Sequence, residues 1–347
     1  MVRITAIRDL HIKGESLIAA THGRSFWMID DLGPVRQVDE DIATANHHLY
    51  GPKPAYRMAQ GSRRGDPSLR LAGENHPNGV LFNFFVKDHE GQRVSLEIQD
   101  ADGQTIQTFA SDAKEKKQKL KIKEEENRFV WNMRYPGFKE FDGMILYSSP
   151  NRGPKAVPGN YRAILRVGDD VSETDFEILA DPRLETTQED YEAQLAFLLK
   201  VRDRVSESHQ AMIDIRSVRE DINYFKGKLA DKPDYESILQ LCDQLNTDMT
   251  IIENNIHMTK NQSRQDPLNY GIRINNRLAF LMADQQRGDY RPTDSAEEVY
   301  QAVSAELETE LNALDTLLEE RLREINNQGR ALGVQILTDR LPRKVEP

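Results

Sequence analysis

The 347-residue chain has a single cysteine, Cys242. One thiol excludes an internal disulfide and any zinc site built from several cysteines. Aromatic residues make up only 7% of the chain, with two tryptophans, Trp27 and Trp131. No run approaches the ~18 apolar residues of a membrane-spanning helix. Positive charge is also short: 46 Lys and Arg against 57 Asp and Glu leave a net charge of −11. A general nucleic-acid or acidic-membrane binder needs a basic face, so neither partner is expected. Met1–Ala20 carries Arg3, Arg8, Asp9, Lys13 and Glu15. It has no apolar core of roughly 7–15 residues and does not read as a secretory signal. Catalytic motifs are missing too. Gly14-Glu15-Ser16 is followed by Leu17 and Ile18, without the second glycine of a nucleophile elbow. There is no phosphate-binding glycine loop, no dinucleotide fingerprint and no His-Glu-x-x-His. No residue set calls for a cofactor or a metal.

What is present divides near Asp181-Pro182. Residues 1–182 carry a net charge of −2 and residues 183–347 one of −9. Before the boundary, short apolar runs alternate with Gly, Pro, Asn and Asp; after it, apolar residues recur every three or four positions. That switch in period predicts a multidomain chain, all-β and then all-α. In the first half, Ile4–Ile12, Ser16–Ala20 and Ser25–Ile29 read as strands over residues 1–33. Residues 34–75 read as an irregular linker, with Gly33-Pro34, Gly51-Pro52-Lys53-Pro54 and the stretch Gly61–Pro67. Residues 76–181 hold strand signals at regular spacing. These are Gly79–Val86, the alternating Val94, Leu96 and Ile98, the turn Asp102-Gly103, then Phe129, Trp131 and Met133. Tyr161–Val167 and Val171–Leu179 follow, joined by Gly168-Asp169-Asp170. Six or seven short strands in about 100 residues predict an immunoglobulin-like or fibronectin-III-like sandwich. The charged run Lys114–Glu126 reads as a solvated loop.

Residues 182–335 predict an antiparallel helical bundle, with 336–347 as a tail. Thr186-Thr187-Gln188-Glu189 fits a capping box, and the helix it opens runs to about Leu229. Asp231-Lys232-Pro233 breaks it, and a second helix carries Ile238 to Ile256. Asp266-Pro267 restarts a shorter one with Ile274, Leu278 and Leu281. Arg291-Pro292-Thr293-Asp294 precedes the last, with Val303 to Ile325. Arg202, His209 and Arg216 interrupt the apolar stripe of the first helix, which favours an intramolecular bundle over a coiled-coil seam.

Few side chains invite chemistry. His22 could act with Asp30 or Asp31 as a carboxylate partner; the plainer reading is a corner turned by Gly23 and locked by Arg24 against Asp30 and Asp31. Trp131 is either a sugar-stacking platform or a core residue, and its alternation with Phe129 and Met133 favours the core. His47 and His48 are adjacent, so in a strand they point opposite ways and cannot share a metal. Cys242 reads as a small buried hydrophobe. No residue is assigned a catalytic role.

The stretch from Asp9-Leu10 through Leu17–Ala20 and Thr21-His22-Gly23-Arg24-Ser25-Phe26-Trp27 to Asp31-Leu32 resembles the last blade of a bacterial β-propeller of the sortilin-like, BNR-repeat group. Many of those proteins are called glycosyl hydrolases or exo-sialidase-like. Asn127–Pro136, Gly143-Met144-Ile145-Leu146, Pro158-Gly159-Asn160-Tyr161 and Asp181-Pro182-Arg183 are similar to the Ig-like module that follows that propeller. Arg202-Asp203 and Asp266-Pro267-Leu268-Asn269-Tyr270 are similar to its carboxy-terminal helices. The resemblance implies a propeller-blade remnant, an Ig-like sandwich and a helical bundle, belonging to a larger exported protein. It departs where it matters for activity: only about one blade of strands is present, and no Ser-x-Asp-x-Gly-x-Thr-Trp box occurs. A single blade exposes its strand edges. The expectation is therefore a non-catalytic structural or interaction region that braces a propeller, upstream or on a separate chain, and offers surface to a protein or glycan. The alternative is part of a sialidase-like glycosyl hydrolase whose acid and base lie mostly upstream.

Overall fold

The computed structural model describes residues 5–58, 77–89, 91–229 and 232–333. Most of the stretch around Gly61–Pro67, and the tail at 336–347, lie outside the described residues. The chain separates into two compact units: Met1–Pro136 with Lys155–Gln188, and Gly137–Pro154 with Glu189–Pro347.

The first unit holds eleven strands among the described residues. β1 (Ile7–Lys13), β2 (Ser16–Thr21) and β3 (Phe26–Ile29) form an antiparallel meander, close to the expected spans. Two short helices follow, α1 (Gly33–Gln37) and α2 (Glu40–Thr44), the second capped by Asp39, whose carboxylate accepts from Ile42 N. β4 (His47–Leu49) and β5 (Ala55–Tyr56) come next. The stretch expected to be an irregular linker thus contains four short elements. They are too short to show a period in sequence.

β6 (Val80–Val86), β7 (Val94–Gln99), β8 (Thr105–Ala110), β9 (Glu125–Trp131), β10 (Gly159–Val167) and β11 (Asp170–Leu179) complete the unit. β5-β11-β10-β7-β8 make one sheet and β4-β6-β9 another. Their inward side chains share one core, including Phe82, Leu96, Trp131, Leu165 and Phe176. The Tyr161 hydroxyl donates to Val157 O at 2.7 Å. Gly79 is required where it stands. Its φ is +147°, and a Cβ would come within 2.2 Å of Trp131 O. The charged run around Lys114–Glu126 holds a 3-10 turn at Lys116–Gln118 and the exposed start of β9, with Leu120 buried.

The second unit is helical apart from its leading segment. α3 (Gln188–Leu229) is 42 residues long, about 60 Å at the α-helical rise. α4 (Glu236–Ile256), α5 (Pro267–Tyr270), α6 (Ile274–Asp284) and α7 (Asp294–Ala331) follow. Gly271, at φ 78°, separates α5 from α6. Thr293 caps α7 through its side chain, which accepts from Ala296 N. The shared core includes Val201, Met212, Leu245, Met249, Leu278, Leu307 and Ile325.

These observations correct the expected fold class. The chain is mixed: three small sheets, the five-stranded one curled as a half-barrel, then a long helical region. It is neither a clear propeller blade with an Ig-like or fibronectin-III-like sandwich nor a clean all-β to all-α succession. Alternation located most of the strands but could not say how they pair. β5 joins β11 in parallel, and β4 joins β6 from outside the expected sandwich. Residues 137–154 also leave the expected β domain. Phe138 and Phe141, on a segment without strand pairing, are buried in the helical core, with Met144 and Leu146 against it. An apolar side chain on irregular backbone buries wherever apolar surface is offered, and that choice has no sequence period.

Candidate functional site

The β1–β3 meander is the first place of interest. Paired register sets Leu10 beside Ala19 and Trp27, and Ile12 beside Leu17 and Ile29. That face is therefore apolar across Leu10, Ile12, Leu17, Ala19, Trp27 and Ile29, with Thr21 at its end. The other sets His11 beside Ile18 and Met28, and Asp9 beside Ala20 and Phe26. Ile7, Leu10, Ile12, Phe26, Trp27, Met28 and Ile29 are all exposed, Phe26 by 75%. Among the described residues, β1 and β3 each pair on one side only. Single exposed hydrophobes are ordinary; here they form a contiguous set on one three-stranded sheet.

The expected corner residues lie beside this sheet without forming a site. His22 is exposed; its backbone N donates to Ala6 O at 2.9 Å, and its carbonyl accepts from Thr5 Oγ1 at 3.1 Å. Gly23 does turn the chain, at φ 74°. Arg24 contributes its carbonyl, which accepts from Trp27 Nε1 at 3.0 Å. Asp30 likewise acts through its carbonyl, which accepts from Lys53 Nζ. Among the described residues of this corner, Asp31 uses its carboxylate: it accepts from Gly33 N at 2.9 Å and pairs with Lys53 at 3.3 Å. Lys53, not Arg24, is thus the cation at this corner, and no hydrogen bond joins His22 to either aspartate. Proximity in sequence suggested the wrong partner because Lys53 arrives from a distant loop.

Trp131 is wholly buried, edge-on to Tyr161 and Phe176, and its Nε1 donates to Arg134 O. It cannot stack on a glycan in this conformation. His47 and His48 lie on β4 opposite Val86 and Phe85. Burial is the main cause that lowers His48 below the ordinary imidazole range. Cys242 is buried, and burial pushes its thiol up to about 11, so it is a poor nucleophile. No group of three or more metal-ligating side chains occurs among the described residues. No helix among them is long and apolar enough to cross a membrane.

The helical unit contains a polar cluster that spacing did not reveal as a unit. His209 on α3, His257 just after α4 and Asn275 in the first turn of α6 are all buried. Asn275 Nδ2 lies 3.2 Å from His209 Nε2 and 3.1 Å from His257 Nδ1. His209 Nδ1 is 2.5 Å from Lys139 O. Phe141 meets both imidazoles edge-on, each at 5.0 Å between centroids. Burial is the largest effect on both histidines and takes each down to about 4. Beside them, the buried carboxylate of Glu253 is held by Arg219 at 2.8 Å and Arg216 at 3.6 Å. The sequence signal was present in part: His209 interrupts an apolar stripe. His257 and Asn275 carried no comparable mark.

No family model matches this chain, and no curated protein matches it. Among solved structures, one titled "pT26-6p" aligns with 73% of this chain at 10% identity and a TM-score of 0.15. The chain spans about half, 46%, of that structure's length. Such a likeness carries no argument about fold or function, and it says nothing of sortilin-like or BNR-repeat proteins.

Proposed function

We propose that this chain is a non-catalytic interaction region whose β1–β3 sheet docks against another β-structured polypeptide. The observation that supports this reading is the apolar, two-edged meander at residues 7–29. The unbroken apolar face of Leu10, Ile12, Leu17, Ala19, Trp27 and Ile29 suits a second layer of side chains. The outer edges of β1 and β3, which pair with no other strand among the described residues, suit strands, since strand addition pairs edge N–H and C=O groups. A glycan would take one or two aromatic rings and leave most of this surface in water.

The test uses source-cell extract. Native mass and hydroxyl-radical footprinting are measured for the wild type and for a Leu10→Lys, Trp27→Lys double variant. The wild type is expected well above 39.8 kDa, with Trp27 and Ile29, which share the apolar face, protected relative to the isolated chain. The double variant is expected to run alone, with Ile29 labelled. A wild-type species at 39.8 kDa whose Trp27 labels as fast as in the isolated chain would overturn the proposal. So would Trp27 protection by oligosaccharide alone.

A further inference from the structure

In the helical unit, the hydrogen-bond partners of the buried polar cluster fix where its hydrogens sit. Lys139 O can only accept, so the nitrogen facing it, His209 Nδ1, carries the hydrogen. In the neutral ring, His209 Nε2 is then the lone pair, and it accepts from Asn275 Nδ2. The second N–H of the same amide goes to His257 Nδ1, which accepts as well. Both amide hydrogens are used. Asn275 Oδ1 meanwhile is buried with no hydrogen-bond partner. A proton arriving at either ring would set an N–H against the amide's own N–H. Turning the amide over removes that conflict. It brings Oδ1, with two lone pairs, to the point where both ring nitrogens converge. The unpartnered oxygen is thus the acceptor a protonated cluster needs.

We propose that His209, Asn275 and His257 form an acid-operated latch: a proton taken up there turns the Asn275 amide over and frees the 137–154 segment from the helices that hold it. That segment is the yielding part. It has no helix or strand of its own between Gly137 and Pro154. It is held by Lys139 N to Ser206 Oγ, Lys139 Nζ to Gln210, and Arg216 Nη1 to Asp142 O. Asn276 adds Tyr147 and Ser149. Its Phe138 and Phe141 rings lie edge-on to His209, so an imidazolium forms beneath them. The charges facing the cluster come from three sides. Glu140 on the segment and Glu253 on α4 attract a proton, Arg216 on α3 repels it, and the two histidines repel each other. Arg216 also lies over Phe141 at 4.8 Å, and Arg219 engages Glu253, which spends that carboxylate.

The test is hydrogen exchange on the full chain between pH 7 and pH 4, corrected for intrinsic rates, with imidazole nitrogen NMR. At pH 7, His209 should show its hydrogen on Nδ1. On acidification, amides in 138–148 should lose protection at least tenfold while α4 and α7 keep theirs. Asn275→Asp places a carboxylate between the rings, which favours the protonated cluster. It should move the opening midpoint up by a pH unit or more. Four results would overturn the latch: an Nε2–H tautomer for His209 at pH 7, a segment that stays protected to pH 4, opening of 138–148 only together with α4 and α7, or a midpoint that Asn275→Asp leaves in place. If that variant does not fold, the wild-type tautomer and protection pattern decide alone.

Discussion

Trp131 shows how much one side chain decides in the first unit. It is fully buried, stacks edge-on with two rings, and its carbonyl closes on Gly79. Trp131→Ala should cost about 3–5 kcal/mol, read as a lower urea midpoint at unchanged slope. The histidines of the second unit decide its behaviour in acid. Their folded values of about 4 lie below the ordinary 6.5. Above pH 6.5 both states are neutral and there is no effect. Between 6.5 and 4 the unfolded chain binds protons that the folded chain refuses, so stability falls as pH falls. The loss approaches about 3 kcal/mol per histidine near pH 4 and then levels off. Replacing both with Gln should flatten the dependence of the helical melting temperature over that range. Of these residues, Trp131 was legible from alternation alone. His209 was legible only as an interruption, because a buried polar residue declares its partners in space and not in sequence.

At the scale of elements, local chemistry was a good guide wherever an element was long. The start of α7 was set by Thr293, whose side chain accepts from Ala296 N. Thr293→Ala should lower stability by about 1 kcal/mol, a shift of a few degrees in the melting of the 222 nm signal. Thr293→Ser should restore most of it. The hairpin at Asp102-Gly103 likewise forms where expected: Asp100 Oδ1 accepts from Asp102 N and Gln104 N, and Gly103 takes φ 77°. Short elements escaped. α1, α2, β4 and β5 have two to five residues each, and β5 is a strand only because Ile178 and Leu179 lie alongside.

At the scale of the molecule, two cores are built from different material. One is centred on aromatic side chains of paired strands, the other on aliphatic side chains of helices. Both tryptophans lie in the first unit, and the buried histidines among the described residues, His209 and His257, lie in the second. This separation gives a direct experiment. Lowering the pH from 7 to 5 should reduce the urea midpoint followed by circular dichroism at 222 nm. The midpoint followed by tryptophan fluorescence should move much less. Equal movement of both would show that the two cores melt as one cooperative body.

What the sequence determined by itself is the list of long elements. Period 2 and period 3.6 are written in local order, and each needs only a buried side to take effect. Tertiary structure decided three further things. It chose Lys53 over Arg24 as the partner of Asp31, assigned 137–154 to the helices, and brought His209, His257 and Asn275 to one point. Each choice joins residues far apart in the chain. Contact at that separation depends on which apolar surfaces close on one another, and local order carries no record of it.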